Sequence, residues 1–358
     1  MAESLWNQLA ARLVDALGAQ RGELVEVRDE AGNQRLLHAV LLALESIGAE
    51  PLVAILPAQH VERLLVTTSP DILASRDRRR MEWLQHVDRS LALIGAQPDL
   101  RRAPDAALRA FTTTYNQLET IRCERRIPQV IAAIPSIGKA AQLGLSHEDL
   151  ELRIMPALLL DPAALVAASE RVLSTLAQVQ TITITSGPGY KLRVQRGERS
   201  WLRDTGRLET TSGTADTIVS NVPAGLLYTT IVEESAEGEL FLPVAGPARA
   251  AHLQFNYGRI TRIEAASGGD QLTALLAQRS GELGRISTIG IGLNPHLRQP
   301  IGWPLVDRHI QGAISIAFGE NQYLGGVNVS SLAIDFATTA ASLRADDRVI
   351  VDGGRLVV

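Results

Sequence analysis

The sequence predicts an α/β domain with a mainly parallel sheet, followed by an α+β domain with antiparallel strands. Three observations carry this. Helical apolar faces alternate with short, continuous apolar runs as far as residue 177. From Thr181 onward the pattern changes to short alternating segments separated by Gly, Asp and Ser turns. The length of 358 residues, with 46% hydrophobic and 21% charged residues, suits two domains that each bury a core.

Taken in order, Leu5, Leu9, Leu13 and Leu17 form one helical stripe that ends near Gly18, and a strand is expected at Leu24 to Val27. Leu36, Leu37, Val40, Leu41 and Leu44 give a second helical face, followed by the run Leu52 to Leu56, which reads as a buried strand. Leu91 to Ile94 and Val130 to Ile134 repeat that strand signature. Asp161 before Pro162 is an N-cap followed by proline at the first helical position, opening a helix through about Ala177. The domain boundary is placed there, giving domains 1–177 and 178–358. In the second domain Thr181 to Thr185 and Lys191 to Gln195 alternate as strands, and a helix is expected at Gly269 to Leu283.

Composition excludes several classes. The net charge of −4 offers no global attraction to nucleic acid or to anionic lipid. The two basic clusters, Arg76 to Arg80 and Arg122 to Arg126, are interrupted by acidic residues and read as solvated helix faces. With one cysteine, Cys123, no intrachain disulfide forms. No signal peptide is recognised and no apolar stretch reaches about 18 residues, so a cytoplasmic protein without a membrane partner is expected.

The generic motifs are weak. Thr185-Ser-Gly-Pro-Gly-Tyr-Lys191 lacks the Gly-Lys-Ser/Thr ending of a phosphate loop and reads as a β-turn. The seven histidines never fall in a His-x-x-x-His or His-x-Asp pairing. His38 reads as a helix residue, whereas His296 and His309 stand in loops beside the segments of interest.

Those segments are Asn221-Val-Pro-Ala-Gly-Leu-Leu-Tyr-Thr-Thr230, Gly290-Ile-Gly-Leu-Asn-Pro295, Ile310-Gln-Gly-Ala-Ile-Ser-Ile-Ala-Phe-Gly319 and Ser331-Leu-Ala-Ile-Asp335. In this order and spacing they resemble the thermophilic metallo-aminopeptidase family of aminopeptidase T type, and the related 2,5-dihydroxypyridine dioxygenases. The likeness is placed at about Ser186 to Val358, with a weaker α/β similarity before it. It implies an aminopeptidase T-like fold and a homodimer. It also implies metal ligands that this chain lacks. The glutamate expected after the Pro-x-Gly turn is Leu226, and the one expected before the Gly-x-Gly turn is Thr288. The histidine expected in the following strand is Ser315, and in the closing His-x-Asp pair the histidine is Ala333 while Asp335 remains. Glu282 imitates a family string but lies six residues too early.

One ligand position of five therefore survives, fewer than a zinc or iron oxygenase site needs. The expectation is a protein without metal or other cofactor. Its substrate-binding residues are expected to be Leu226, Thr288, Ser315, Tyr323, Ala333, Asp335 and His309. The ligand would be a peptide or a peptide-derived small molecule held for a tailoring enzyme, as in the maturation of ribosomally made peptide natural products. Arg285, Arg298 or Arg308 would meet a peptide carboxylate. Two alternatives stand beside this pseudoenzyme reading. One is a metal-independent proton transfer or cyclisation with Asp335 as base and Tyr323, Ser315 or His309 as donor. The other is a working aminopeptidase whose ligands are displaced to Glu282 and His296 or His309.

Overall fold

The computed structural model describes residues 2–208, 218–277, 284–330 and 333–358, with side chains from residue 5 onward. The chain divides into two compact units, Met1–Leu159 with Gly206–Pro223, and Leu160–Thr205 with Ala224–Val358. This division departs from a single boundary near 177 in two ways. The helix Pro162–Leu176 starts the second unit, and the chain later returns to the first.

The first unit holds a five-stranded sheet in the order Glu50–Ile55, Leu24–Asp29, Arg89–Ile94, Gln129–Ala133, Val219–Val222. Every neighbouring pair is parallel. The three inner strands anticipated by their apolar runs are buried, including Val25, Val27, Leu91, Leu93 and Val130. The run at Leu52 to Leu56 differs: it forms an edge strand, with Val53 and Ile55 exposed, because the sheet covers it on one side only. The final strand was not anticipated. Val219–Val222 is only four residues long and pairs with a strand about ninety positions earlier. On the first helix, Ala2–Leu17, Leu9, Leu13 and Leu17 are fully buried while Leu5 is exposed.

The basic clusters are not simply solvated. Glu26, inside the sheet, accepts hydrogen bonds from Arg122 at 2.7 and 3.0 Å, from Arg80 at 3.0 and 3.2 Å, and from the Ser90 hydroxyl at 2.9 Å. Each cluster thus turns one arginine inward to a buried carboxylate. Burial alone would raise the Glu26 pKa, but Arg122 above all, with Arg28 and Arg80, outweighs it and holds the group at about 2.

The second unit contains two antiparallel sheets around one apolar core. The larger has eight strands, in the order Arg259–Glu264, Ala248–Asn256, Glu237–Ala245, Tyr190–Gln195, Thr181–Ser186, Ala341–Ala345, Arg348–Asp352, Arg355–Leu356. The first two strands to appear in the chain form the expected hairpin around Gly187 to Gly189, so the supposed phosphate loop is a β-turn. The smaller sheet has five strands, in the order Ala333–Thr338, Ile314–Gly319, Ile286–Gly292, Leu226–Thr230, Trp201–Asp204. Asp161 caps the helix Pro162–Leu176 through Ala163 N at 2.9 Å, as anticipated. The helix expected to reach Leu283 is described as Gly269–Ala277, and Glu282 lies outside the described residues. Among the described residues no single helix is long and apolar enough to cross a membrane.

Candidate functional site

Every strand of the five-stranded sheet alternates between two faces. One face enters the core through Leu227, Ile289, Ile291, Ile314, Ile316, Phe318 and Phe336. The opposite face carries five of the seven residues that the sequence nominated. Its registered rows are Tyr228, Gly290, Ser315, Ala337 and then Thr230, Thr288, Ala317, Asp335, with Leu226 opposite Gly292 and Ala333 opposite Gly319. Leu226, Thr288, Ser315, Ala333 and Asp335 therefore do share one surface, although they come from four separate strands.

Two turns fix the end of this surface. Gly225 has φ +109°, a backbone state that favours glycine, and a Cβ there would meet Asn294 N at 2.9 Å. The fully buried Asn294 donates from Nδ2 to Ala224 O at 2.8 Å, and Leu293 N donates to Gly225 O at 2.8 Å. The Pro-Ala-Gly and Gly-Leu-Asn turns are thus locked against each other. A Cβ on Gly292 would lie 2.0 Å from Ile310 O and 2.9 Å from Arg308 O, so the segment that follows the helix Pro304–Asp307 crosses directly over the strand. Asp307 fixes that helix by accepting from Ile301 N and Gly302 N, each at 2.9 Å. Burial lifts its carboxyl to about 6, against these backbone donors.

The crossing segment delivers a cation to the site. Arg308 Nη1 donates to Asp335 Oδ2 at 2.6 Å, and Arg308 Nε donates to His309 Nε2 at 3.3 Å. His309 has no exposed surface, so it backs Arg308 rather than lining a cleft. Burial, and then the Arg308 charge, push its pKa well below the usual imidazole range, and it stays neutral. His296 is exposed beyond the Asn294 turn. Arg308 was nominated for a ligand carboxylate; here it meets the protein's own.

Sequence reasoning missed Tyr228. It stands two residues after Leu226 on the same strand, so period two alone signals its direction. Burial raises its phenol pKa, followed by the charge of Asp204 and by Tyr323, with Asp335 acting the same way and Arg308 opposing. The phenol is a donor that keeps its proton. Tyr323 itself is half exposed on the short turn Gln322–Leu324. Its loop is tied down by the buried Glu233, which accepts from Val327 N at 2.7 Å, Arg199 Nη2 at 3.0 Å and Asn321 Nδ2 at 3.2 Å. Glu320 closes the loop by accepting from Gln322 N at 2.8 Å and Ser330 N at 2.9 Å.

These residues do not fit a catalytic metal ion. Leu226 and Ala333 offer no donor atom, Thr288 and Ser315 offer neutral hydroxyls, and an oxygen of Asp335 is already held by a guanidinium. Among the described residues no group of three or more His, Cys, Asp or Glu is placed to hold a metal ion.

Two solved structures resemble the whole chain. Wild-type AmpT from Thermus thermophilus superposes with a TM-score of 0.80 at 19% identity, covering 100% of both chains. 2,5-Dihydroxypyridine dioxygenase from Pseudomonas putida KT2440 gives a TM-score of 0.62 at 17% identity, over 100% of this chain and 98% of that one. At these identities the likeness establishes the fold. No curated protein matches the chain. The model of the thermophilic metalloprotease (M29) family matches residues 4–287. The match includes the first unit, where the sequence alone gave the weaker similarity, and stops one residue before Thr288. On the strength of that match the chain belongs to the thermophilic metalloprotease (M29) family.

Proposed function

We propose that this member of the family is a metal-free peptide-binding protein that holds a peptide, or a small molecule derived from one, for a tailoring step carried out by another enzyme. The Arg308–Asp335 pair carries this reading. A cluster of carboxylates in a sheltered site is tolerated when a cation balances it. Of the family's five ligand positions only Asp335 keeps a carboxylate, and its cation is an arginine side chain supplied by the same unit; a second carboxylate, Asp204, stands on the same face in register with Leu226. Around it the face carries the part-exposed donors Tyr228 and Thr288, with Ser315 and the apolar Leu226 buried in the same face. Such a surface suits a neutral amide backbone with one apolar side chain better than a free carboxylate or a metal-bound water. The protein would act in the cytoplasm as a homodimer, and ribosomally made peptide natural products are the proposed context.

The test is metal stoichiometry by elemental mass spectrometry, after incubation with zinc, iron, cobalt and manganese and then desalting. Substoichiometric metal is expected, with a peptide then binding at unchanged mass. One or two tightly held ions per chain would overturn the reading and return Glu282 to the site.

A second reading, metal-independent proton transfer, draws on Tyr228 and Tyr323 acting on the same site as Asp335. It predicts a mass-neutral change in a bound peptide that Asp335→Asn removes. It ranks second because Arg308 already engages Asp335, the carboxylate that would serve as base.

A further inference from the structure

The first unit has a cavity of about 750 Å3 that the site above does not use. Its floor is made by the segments following four strands of the parallel sheet: residues 30–35, 57–59, Ala96 and 135–138. The strand order reverses direction between Leu24–Asp29 and Arg89–Ile94, since one connection runs to the Glu50–Ile55 edge and the next returns past it. In open α/β sheets, ligands bind outside the carboxyl ends of the strands at such a reversal. The volume lies within the range of small-molecule sites.

The floor is tightly built. A Cβ on Gly95 would lie 2.6 Å from Ala31 Cα and 3.1 Å from Ser136 Oγ, so three strand-end segments meet there. The helix starts at this floor are already served. Asn33 Oδ1 accepts from Leu36 N at 3.1 Å and Ser136 Oγ from Lys139 N at 3.2 Å. An anion would find one amide of each helix start taken and two carboxylates, Glu30 and Glu151, in the wall against one arginine, Arg35.

A cation finds the reverse. Glu30 keeps 23% of its side chain exposed, and Arg28 Nη1 lies 3.8 Å away, an ion-pair distance beyond hydrogen-bond length. That guanidinium nitrogen is committed to Glu119 at 3.0 Å. Glu151 Oε1 lies 3.6 Å from His147 Nε2. Trp6 and Met155, both nearly buried, supply apolar wall, and Ile137 stands 77% exposed at the lining.

We propose that this cavity is a second ligand site, for a small molecule that joins a protonated amine to an apolar body, with Glu30 and Glu151 receiving the amine beside the Trp6 and Met155 surface. The proposal is independent of the reading of the second unit.

The probe is L-leucinamide, titrated calorimetrically into the full chain beside N-acetyl-L-leucinamide, which has the same body without the charge, and inorganic phosphate. Saturable binding of leucinamide is expected, weakened about tenfold on acetylation and about tenfold in Glu30→Gln, the scale of one charge-assisted hydrogen bond. Ala96→Phe, which fills the floor, removes it. The comparison of the two amides on unaltered protein stands even if a variant fails to fold. No saturation at millimolar leucinamide, equal binding of both amides, or preference for phosphate overturns the proposal. So does binding that survives in Glu30→Gln but is lost in Asp335→Asn, which would place the amine in the second unit.

Discussion

Glu26 in the first unit and Asp335 in the second are both carboxylates answered by arginine, yet they are built for different ends. Glu26 is 1% exposed and receives five hydrogen bonds, from two arginines and a serine. Nothing is left for a ligand, and the group behaves as part of the frame. Asp335 keeps 29% of its side chain exposed and has one short bond to Arg308. The same pairing is therefore saturated and enclosed at Glu26, and leaves the carboxylate partly open to solvent at Asp335. On the proposed function, the comparison would also account for how a surface of this scaffold keeps an acidic residue without a metal beside it: the Arg308 guanidinium would balance the charge.

The largest expected effect that would break this comparison is at Glu26. Glu26→Gln leaves Arg80 and Arg122 buried around a neutral group and should cost about 3–5 kcal/mol in urea unfolding. Because the folded pKa lies below the unfolded one, Glu26 contributes stability that is fully present above pH 4.5 and is lost as pH falls toward about 2. In the variant that acid limb should flatten. A cost under about 1 kcal/mol would mean that the network is no more than a surface ion pair.

Next in size are the glycines under the site. Gly292→Ala drives a Cβ into Ile310 O and should destabilise by about 3 kcal/mol or more, with no relief from trimming side chains. Gly290→Ala meets the flexible end of Leu226 instead, at 2.9 Å, and should cost about 1–2 kcal/mol, partly restored by Leu226→Ala. Equal costs would contradict the packing described for the crossing segment.

Arg308→Met should cost about 1–2 kcal/mol, and Asp335→Asn less, with a coupling near 1 kcal/mol in the double-mutant cycle, since both side chains retain some solvent. A cycle without coupling would remove the basis for the internal cation. The smallest expected effect is at His309. Its folded pKa is depressed, so the unfolded chain binds the extra proton first, and stability falls as pH drops below 6.5. Replacing His309 with glutamine should reduce that slope between pH 7 and 5, read from unfolding midpoints.

The shared face was legible because turns and period-two alternation are local properties: Pro-x-Gly, Gly-x-Gly-x-Asn and the strand residues between them state where each side chain points. The same rule reaches Tyr228, which sits at no ligand position of the family and is marked only by its place on the strand. What stayed illegible was nonlocal. Arg80 and Arg122 looked solvated because their partner, Glu26, lies 54 and 96 residues away. The unit boundary was misplaced because Val219–Val222 returns to pair with Gln129–Ala133, a register that no local pattern announces. Arg308 faces Asp335 only once Gly292 lets its segment cross the sheet.

The tethered loop around Tyr323 bears on recognition kinetics. Glu233, Asn321 and Glu320 hold the backbone on both sides of that residue before any ligand arrives. On the proposed function, an encounter would spend little conformational entropy on ordering the rim, and differences in affinity among ligands would appear as differences in how long they stay rather than in how fast they arrive.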